Sequence, residues 1–329
     1  VMTIRVMSSG RGYEYLLRSV AAGDGDRDMG TPLTRYYTES GCPPGTWLGT
    51  GLSSLDTGQG PALADGDTVT EEHLARLLGE GVHPVTGKKL GSPYPRLLPP
   101  RERIAARVAR LDASLTGAQR QEAIERIREE EVAKKPRTAV AGFDLTFSPP
   151  KSLSVVWGVA DAGTQALLAQ AHHSALRDTM TMLEERVAAT RVGRGGIARM
   201  PVAGVIASAF DHYDSRAADP QLHTHVVVSN KVQGEDGRWR TLDSRTLHRA
   251  TVAMSASYNA FLTDHTARLL GVSWAPVDRG KDRNTGWEIE GVPAELIAEF
   301  SRRTTGTSDG ADGIEQVKNR LIAEYVAEH

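Results

Sequence analysis

The chain has one cysteine, no long apolar run and almost no net charge. A single thiol can neither cross-link 329 residues nor build a cysteine-based metal site, which fits a reducing compartment. Cys42 lies in a Gly-Cys-Pro-Pro-Gly loop and reads as incidental. No stretch approaches the roughly 20 apolar residues of a membrane span. The start, Val1-Met2-Thr3-Ile4-Arg5, lacks the apolar segment and small-residue cleavage site of a secretory leader. A cytoplasmic protein without membrane contact is therefore expected. A formal charge of −2 gives no global electrostatic case for nucleic acid, so any such case must come from a local site. No internal repeat is visible. With 40% hydrophobic and 24% charged residues the composition is that of a folded chain, long enough for one large domain with appendages.

Periodicity organises that domain. Residues 2–7 read as a strand, Tyr13 to Val20 as the first turns of a helix, and Thr70 to Leu78 as a helix opened by a capping threonine. The stretch 92–137 starts rich in proline, continues as charged helix and reads as an insertion. Its basic clusters, Arg101/Arg103/Arg107/Arg110 and Lys134/Lys135/Arg137, flank a run of glutamates and are expected on a solvated face, and a third cluster is Arg191/Arg194/Arg199. Residues 142–148 alternate as a strand, and 153–159 fit a second strand or the start of a helix. A long helix spans 161–190. Val202–Phe210 and Leu222–Val228 are dense in β-branched residues and read as antiparallel neighbours. A helical C-terminal part begins at about 247 with the amphipathic stretch 247–270. Trp274 and Trp287 to Ile289 mark two short edge strands, and the tail from Glu315 reads as helix. Intermixed strands and helices with antiparallel neighbours give an α+β layer, helices packed on a central sheet.

The densest chemistry lies between His212 and His225. His223 and His225 are two apart on a strand and share one face, while Leu222, Thr224 and Val226 take the other. His212 ends the preceding strand, so pairing of the two strands brings three imidazoles together at one end of the sheet. A lone histidine is ordinarily satisfied by hydrogen bonds inside a core, but three within fourteen residues point to a metal. Three neutral imidazoles leave a divalent ion its full charge and an open position, as in a catalytic site. The residue types allow Mg²⁺ or Mn²⁺, with Zn²⁺ or another transition metal as alternatives. Asp144 sits mid-strand, facing away from Leu145 and Phe147. Aspartate suits strands poorly, and orienting a metal-bound histidine would account for it. His172 and His173, neighbours on the long helix, point about 100° apart and should not share a metal. They are read, like His73, His83, His248, His265 and His329, as surface or packing residues.

Four of the eight tyrosines, Tyr13, Tyr15, Tyr36 and Tyr37, fall in the first forty residues. Beside a three-histidine site they fit phosphoryl transfer, because a metal-neutralised phosphate lowers the barrier to phenolate attack. At this point the chain resembles a family. Gly12-Tyr13-Glu14-Tyr15-Leu16, Tyr36-Tyr37, Trp47-Leu48-Gly49-Thr50-Gly51, the run from Phe143 to Ser152 and above all the run from Asp219 to Asn230 are similar to the F-type (MobF) conjugative relaxases of the His-hydrophobe-His (HUH) endonuclease superfamily. The resemblance covers essentially the whole chain. It implies a five-stranded antiparallel palm flanked by helices, with the C-terminal helical part covering the DNA groove. The implied activity is metal-dependent, site- and strand-specific nicking of single-stranded origin-of-transfer DNA through a 5′-phosphotyrosine, followed by rejoining.

The resemblance also assigns residues. His212, His223 and His225 become ligands of one divalent ion, and Asp144 the carboxylate that orients a ligand or takes the tyrosine proton. Arg216 and Lys151 become DNA contacts. Tyr13 is expected to attack first, with Tyr15 as rival because Glu14 interrupts a pair that is often adjacent, and Tyr36 or Tyr37 to serve the second transfer. Thr224 holds the central position of the motif where a large hydrophobe often stands. Hairpin-bearing origin DNA, accessory relaxosome proteins and a coupling protein are the implied partners of a monomeric bacterial enzyme. No G-x-x-x-x-G-K-[ST] loop occurs, so the chain is expected to be a relaxase portion without its helicase. Three other readings share features of the site: a rolling-circle replication initiator, a metal-dependent hydrolase in which water attacks, and a DNA-binding module with a structural metal.

Overall fold

The computed structural model describes residues 1–17, 43–58, 60–95, 98–134, 138–214, 220–278 and 285–301. The strands are β1 (Met2–Ser8), β2 (Thr46–Leu48), β3 (Val140–Phe147), β4 (Ala189–Val192), β5 (Ala198–Pro201), β6 (Ala207–Asp214), β7 (Pro220–Ser229), β8 (Lys231–Gln233), β9 (Trp239–Thr241), β10 (Trp274–Val277) and β11 (Gly286–Ile289). The helices are α1 (Glu14–Leu17), α2 (Glu71–Leu74), α3 (Pro100–Val108), α4 (Gly117–Ala133), α5 (Lys151–Val159), α6 (Ala162–Arg186), α7 (Ser244–Leu270) and α8 (Ala294–Glu299). Five strands form an antiparallel sheet in the order β1-β3-β7-β6-β2. Gly142 makes the close β3–β7 approach feasible, since a Cβ there would lie 2.4 Å from the Val228 carbonyl oxygen. Among the described residues no helix is long and apolar enough to cross a membrane.

Period-two alternation gives the sheet two unlike faces. On the back, Phe143, Leu145 and Phe147 of β3 and Leu222, Val226 and Val228 of β7 pack with Leu168, Ala175 and Met180 of α6 and Met254, Tyr258 and Leu262 of α7. Each fully buried large apolar side chain there contributes roughly 1.5–3 kcal/mol. The front is divided along the strands. One part, with Met7, Trp47, Phe210 and Val227, is covered by Tyr13, Leu16, Leu74, Leu77 and Leu78. The other part carries Asp144, His223 and His225.

Residues 153–159, read as a strand or the start of a helix, are helix within α5, whose N-terminus follows Pro149-Pro150 and whose Leu153, Val155 and Trp157 are buried. Other elements differ from the expectation, each for a local reason. The strand read over 202–210 begins only at Ala207. Gly204 turns the chain first, at φ 129°, against Thr50 and Gly51, and the strand then runs on through His212 to Asp214. Trp274 and Trp287 lie on strands that pair with each other instead of edging the central sheet, and the Ser152 hydroxyl accepts from Ile289 N–H at 2.8 Å to hold that hairpin on α5. The helix starting near 247 packs its apolar stripe into the back-face core. In the charged segment, Glu131 is only 2% exposed and accepts from Lys134, Arg103 and Arg107 at 2.5, 2.7 and 3.0 Å, and the two arginines hold α3 to α4. Cys42 and the tail from Glu315 lie outside the described residues.

A polar chain crosses the back-face core. Thr224 donates to Asp211, its partner in the β6–β7 register, and accepts from His172 Nε2–H at 2.8 Å. His172 Nδ1 then accepts from the Tyr258 hydroxyl at 2.7 Å. Asp211 also pairs with His173 Nε2 at 2.9 Å. Burial, then the neighbouring His173 charge, pushes the His172 pKa down to about 3, so its ring is neutral in the fold. A group whose folded pKa is depressed below its unfolded value of about 6.5 takes up a proton only on unfolding as pH falls. Its contribution to stability is complete above pH 6.5 and is lost progressively below, by up to about 2 kcal/mol at pH 5. Urea unfolding should therefore weaken from pH 7 to pH 5 in the native protein and weaken less in His172→Gln. Equal pH slopes, or an NMR titration of the His172 ring above pH 5, would contradict this.

Candidate metal and phosphoryl-transfer site

The register sets the site. His212 on β6 is the partner of His223 on β7, and His225 on β7 faces both Phe210 on β6 and Thr146 on β3. The three imidazole centroids are 5.0–5.4 Å apart, and one ligating nitrogen from each lies within 4.8 Å of the others. Hydrogen bonds select which nitrogens carry lone pairs. His223 Nδ1–H donates to the Gln221 carbonyl at 2.8 Å. His225 Nδ1–H donates to the Asp144 carboxylate, with both oxygens at 2.9 Å. In the neutral form of each ring Nε2 is then the lone-pair nitrogen. His212 Nε2 is buried without a hydrogen-bond partner. Burial, then the His223 and His225 charges, lowers its pKa to about 4 and keeps it neutral. Three clustered rings, one with an orphaned buried nitrogen and two oriented through the opposite nitrogen, fit a divalent cation.

Asp144 is buried, and its second partner is the Tyr15 hydroxyl, which donates to Oδ2 at 2.5 Å. The Thr146 hydroxyl lies 3.3 Å from His225 Nδ1 and 3.4 Å from Asp144 Oδ1. One carboxylate thus joins a tyrosine to a histidine of the cluster, and the Tyr15 and His225 rings meet edge-on with centroids 6.1 Å apart. Burial, then the Asp144 charge and hydrogen bond, raises the Tyr15 pKa, so the resting phenol is protonated.

Tyr13 is placed differently from Tyr15. It closes the 3₁₀ turn Arg11–Tyr13, and Tyr15 follows two residues later in α1, roughly 200° further round the turn. Only one of the two can face Asp144. Tyr13 is buried in the front apolar cluster beside Gly79, and after burial the charges acting on its phenol are Glu71 and Glu14. Of the two, Tyr15 is the one in contact with Asp144.

Lys151 donates to the Pro220 carbonyl at 2.9 Å, tying the start of α5 to the start of the histidine strand. Tyr36, Tyr37 and Arg216 lie outside the described residues. His172 and His173 do come together with Asp211, within 4.8 Å in ligating atoms, against the expectation from their helical spacing. Because Thr224 and Tyr258 occupy both ring nitrogens of His172, that group reads as a hydrogen-bond chain. Sequence reasoning missed it; the polar Thr224 between two histidines and the buried face of α6 were its only signals.

Comparison with known proteins agrees with this geometry. The family model described as TrwC relaxase matches residues 9–321. Two curated relatives, both multifunctional conjugation proteins TraI, one from Escherichia coli and one from its strain K12, are 32% identical over 189 and 192 residues. Each match covers 55% of this chain and 10% of the relative, so the chain spans about a tenth of their length. Among solved structures, a metal-bound complex of the conjugative relaxase TrwC with oriT DNA has a TM-score of 0.59 at 22% identity, covering 93% of this chain and 81% of that one. TrwC with a 27-mer DNA comprising the recognition hairpin and the cleavage site has a TM-score of 0.54 at 23% identity, covering 93% and 80%. At these identities the likeness is one of fold. The family model spans nearly the whole sequence, and the chain belongs to the TrwC relaxase family.

Proposed function

We propose that this chain is a metal-dependent DNA-nicking and strand-transferring enzyme of conjugation, acting on single-stranded, hairpin-bearing origin-of-transfer DNA. The observation that carries the reading is the Tyr15–Asp144–His225 chain set against a cluster of three imidazoles. Family membership favours conjugative transfer over replication initiation, and a tyrosine hydrogen-bonded into the site favours transesterification over attack by water. Accessory relaxosome proteins and a coupling protein belong to the same reading.

His212, His223 and His225 would hold the ion, which supplies charge withdrawal from the scissile phosphate. Tyr15 gives its proton to Asp144 and its phenolate oxygen attacks phosphorus in line. The new P–O(Tyr15) bond replaces the P–O3′ bond, and the departing 3′-oxygen takes a proton to become a free hydroxyl. One phosphodiester is exchanged for another, so the same groups run the reaction backwards when a 3′-hydroxyl is supplied. Asp144 thus has two tasks, accepting the tyrosine proton and fixing His225. Tyr36 or Tyr37 would carry the second transfer, and Arg216 would contact DNA.

Incubation with a single-stranded oligonucleotide library and Mn²⁺ should trap a covalent adduct whose modified peptide contains Tyr15. Tyr15→Phe should lose nicking by at least on the order of 10³-fold, and Tyr13→Phe should retain most of it. An adduct on Tyr13 would overturn the assignment, and release of a free 5′-phosphate without any adduct would overturn the transesterification reading. Asp144→Asn should weaken metal affinity by roughly 10–100-fold and also lower the single-turnover rate at saturating metal. Full recovery of rate with excess metal would remove the proton-accepting role.

A further inference from the structure

The central sheet carries almost no positive charge. Across β1, β2, β3, β6 and β7, Arg5 is the only lysine or arginine. It lies on β1 as the register partner of Asp144, so both side chains leave the same face of the sheet. The Asp144 oxygens are taken by Tyr15 and His225, and Arg5 forms no ion pair with a described carboxylate. Its side chain is exposed, and its charge acts on the Tyr15 phenol against the effects of burial and Asp144. An unpaired guanidinium one strand from Asp144, beside the proposed nucleophile, is an anion site open to solvent. Its planar fork suits two oxygens of one phosphate. β1 and β7 are two strand spacings apart, about 10 Å, so Arg5 is placed to hold a phosphate neighbouring the one at the histidines.

Building on the proposed nicking reaction, we propose that Arg5 is a substrate-binding residue that holds the backbone phosphate adjacent to the scissile one as the strand crosses the sheet. The contact is sequence-independent and sets the register of the strand over Tyr15. Arg5 is also the one lysine or arginine that the strands of the sheet offer to DNA, beside the ion at the histidines.

The test combines an Arg5 variant with a neutral phosphate. On wild-type protein, oligonucleotides bearing a single methylphosphonate on either side of the nick site should show a loss of affinity at one of those positions. Arg5→Gln should weaken binding of the unmodified oligonucleotide roughly tenfold and lower the slope of log K against log salt by about one. Arg5→Lys should keep most of the slope. With the sensitive phosphate already neutral, Arg5→Gln should have little further effect. Unchanged affinity and salt slope in Arg5→Gln, or a loss that persists with every methylphosphonate, would overturn the inference and leave Arg5 as a charge guarding an edge strand. Absence of a covalent adduct in wild type would instead overturn the nicking reading, while the binding measurements still decide the role of Arg5.

Discussion

The site depends on one constraint, the antiparallel register of β3, β7 and β6. Because side chains alternate with a period of two, a slip of one residue in β7 would send His223 and His225 into the back-face core and bring Leu222, Thr224 and Val226 to the front. The back face resists such a slip from two directions. Phe143, Leu145, Leu222, Val226 and Val228 are fully packed against α6 and α7, and the Thr224–Asp211 and Thr224–His172 hydrogen bonds join β6, β7 and α6 at the level of the histidines. The polar chain therefore does for this sheet what a large hydrophobe at position 224 could not: it gives the register a directional requirement as well as an apolar one.

On the front, function follows from what the apolar cluster leaves uncovered. Tyr13, Leu16 and the helical residues 71–80 close one part of the face, and the same 3₁₀ and α1 turns that bury Tyr13 carry Tyr15 to Asp144. On the proposed reaction, position rather than intrinsic reactivity selects the tyrosine. Burial and a neighbouring carboxylate hold the Tyr15 phenol protonated at rest, so attack needs a proton acceptor in contact and a phosphate made electrophilic nearby. In the proposed reaction Asp144 would supply the first, and the orphaned nitrogen of His212 beside two oriented imidazoles the setting for the second.

Much of this was legible in the sequence. The His223–His225 spacing and the mid-strand Asp144 are statements about strand alternation, and alternation is read directly from residue types. The α+β layering was legible for the same reason. What was not legible depends on contacts between distant segments. Nothing near Lys151 announces that its ammonium is taken by Pro220, and nothing near Glu131 announces three cations. Tyr13 and Tyr15 are two residues apart in a turn, where the first few degrees of entry decide which one faces the sheet. Helical spacing on α6 separated His172 from His173, but Asp211 on the sheet brought their nitrogens to one place. Arg5 was passed over because an exposed cation on a strand has no local signature; its meaning comes from its partner across the register.

The central claim, that the front face of the sheet is a metal centre built by His212, His223 and His225, is tested most directly by anomalous scattering from crystals of the protein equilibrated with Mn²⁺. The account predicts one strong peak within bonding distance of the three Nε2 atoms and none elsewhere on the sheet. A peak between His172, His173 and Asp211, or no ion at the three histidines at saturating Mn²⁺, would contradict it.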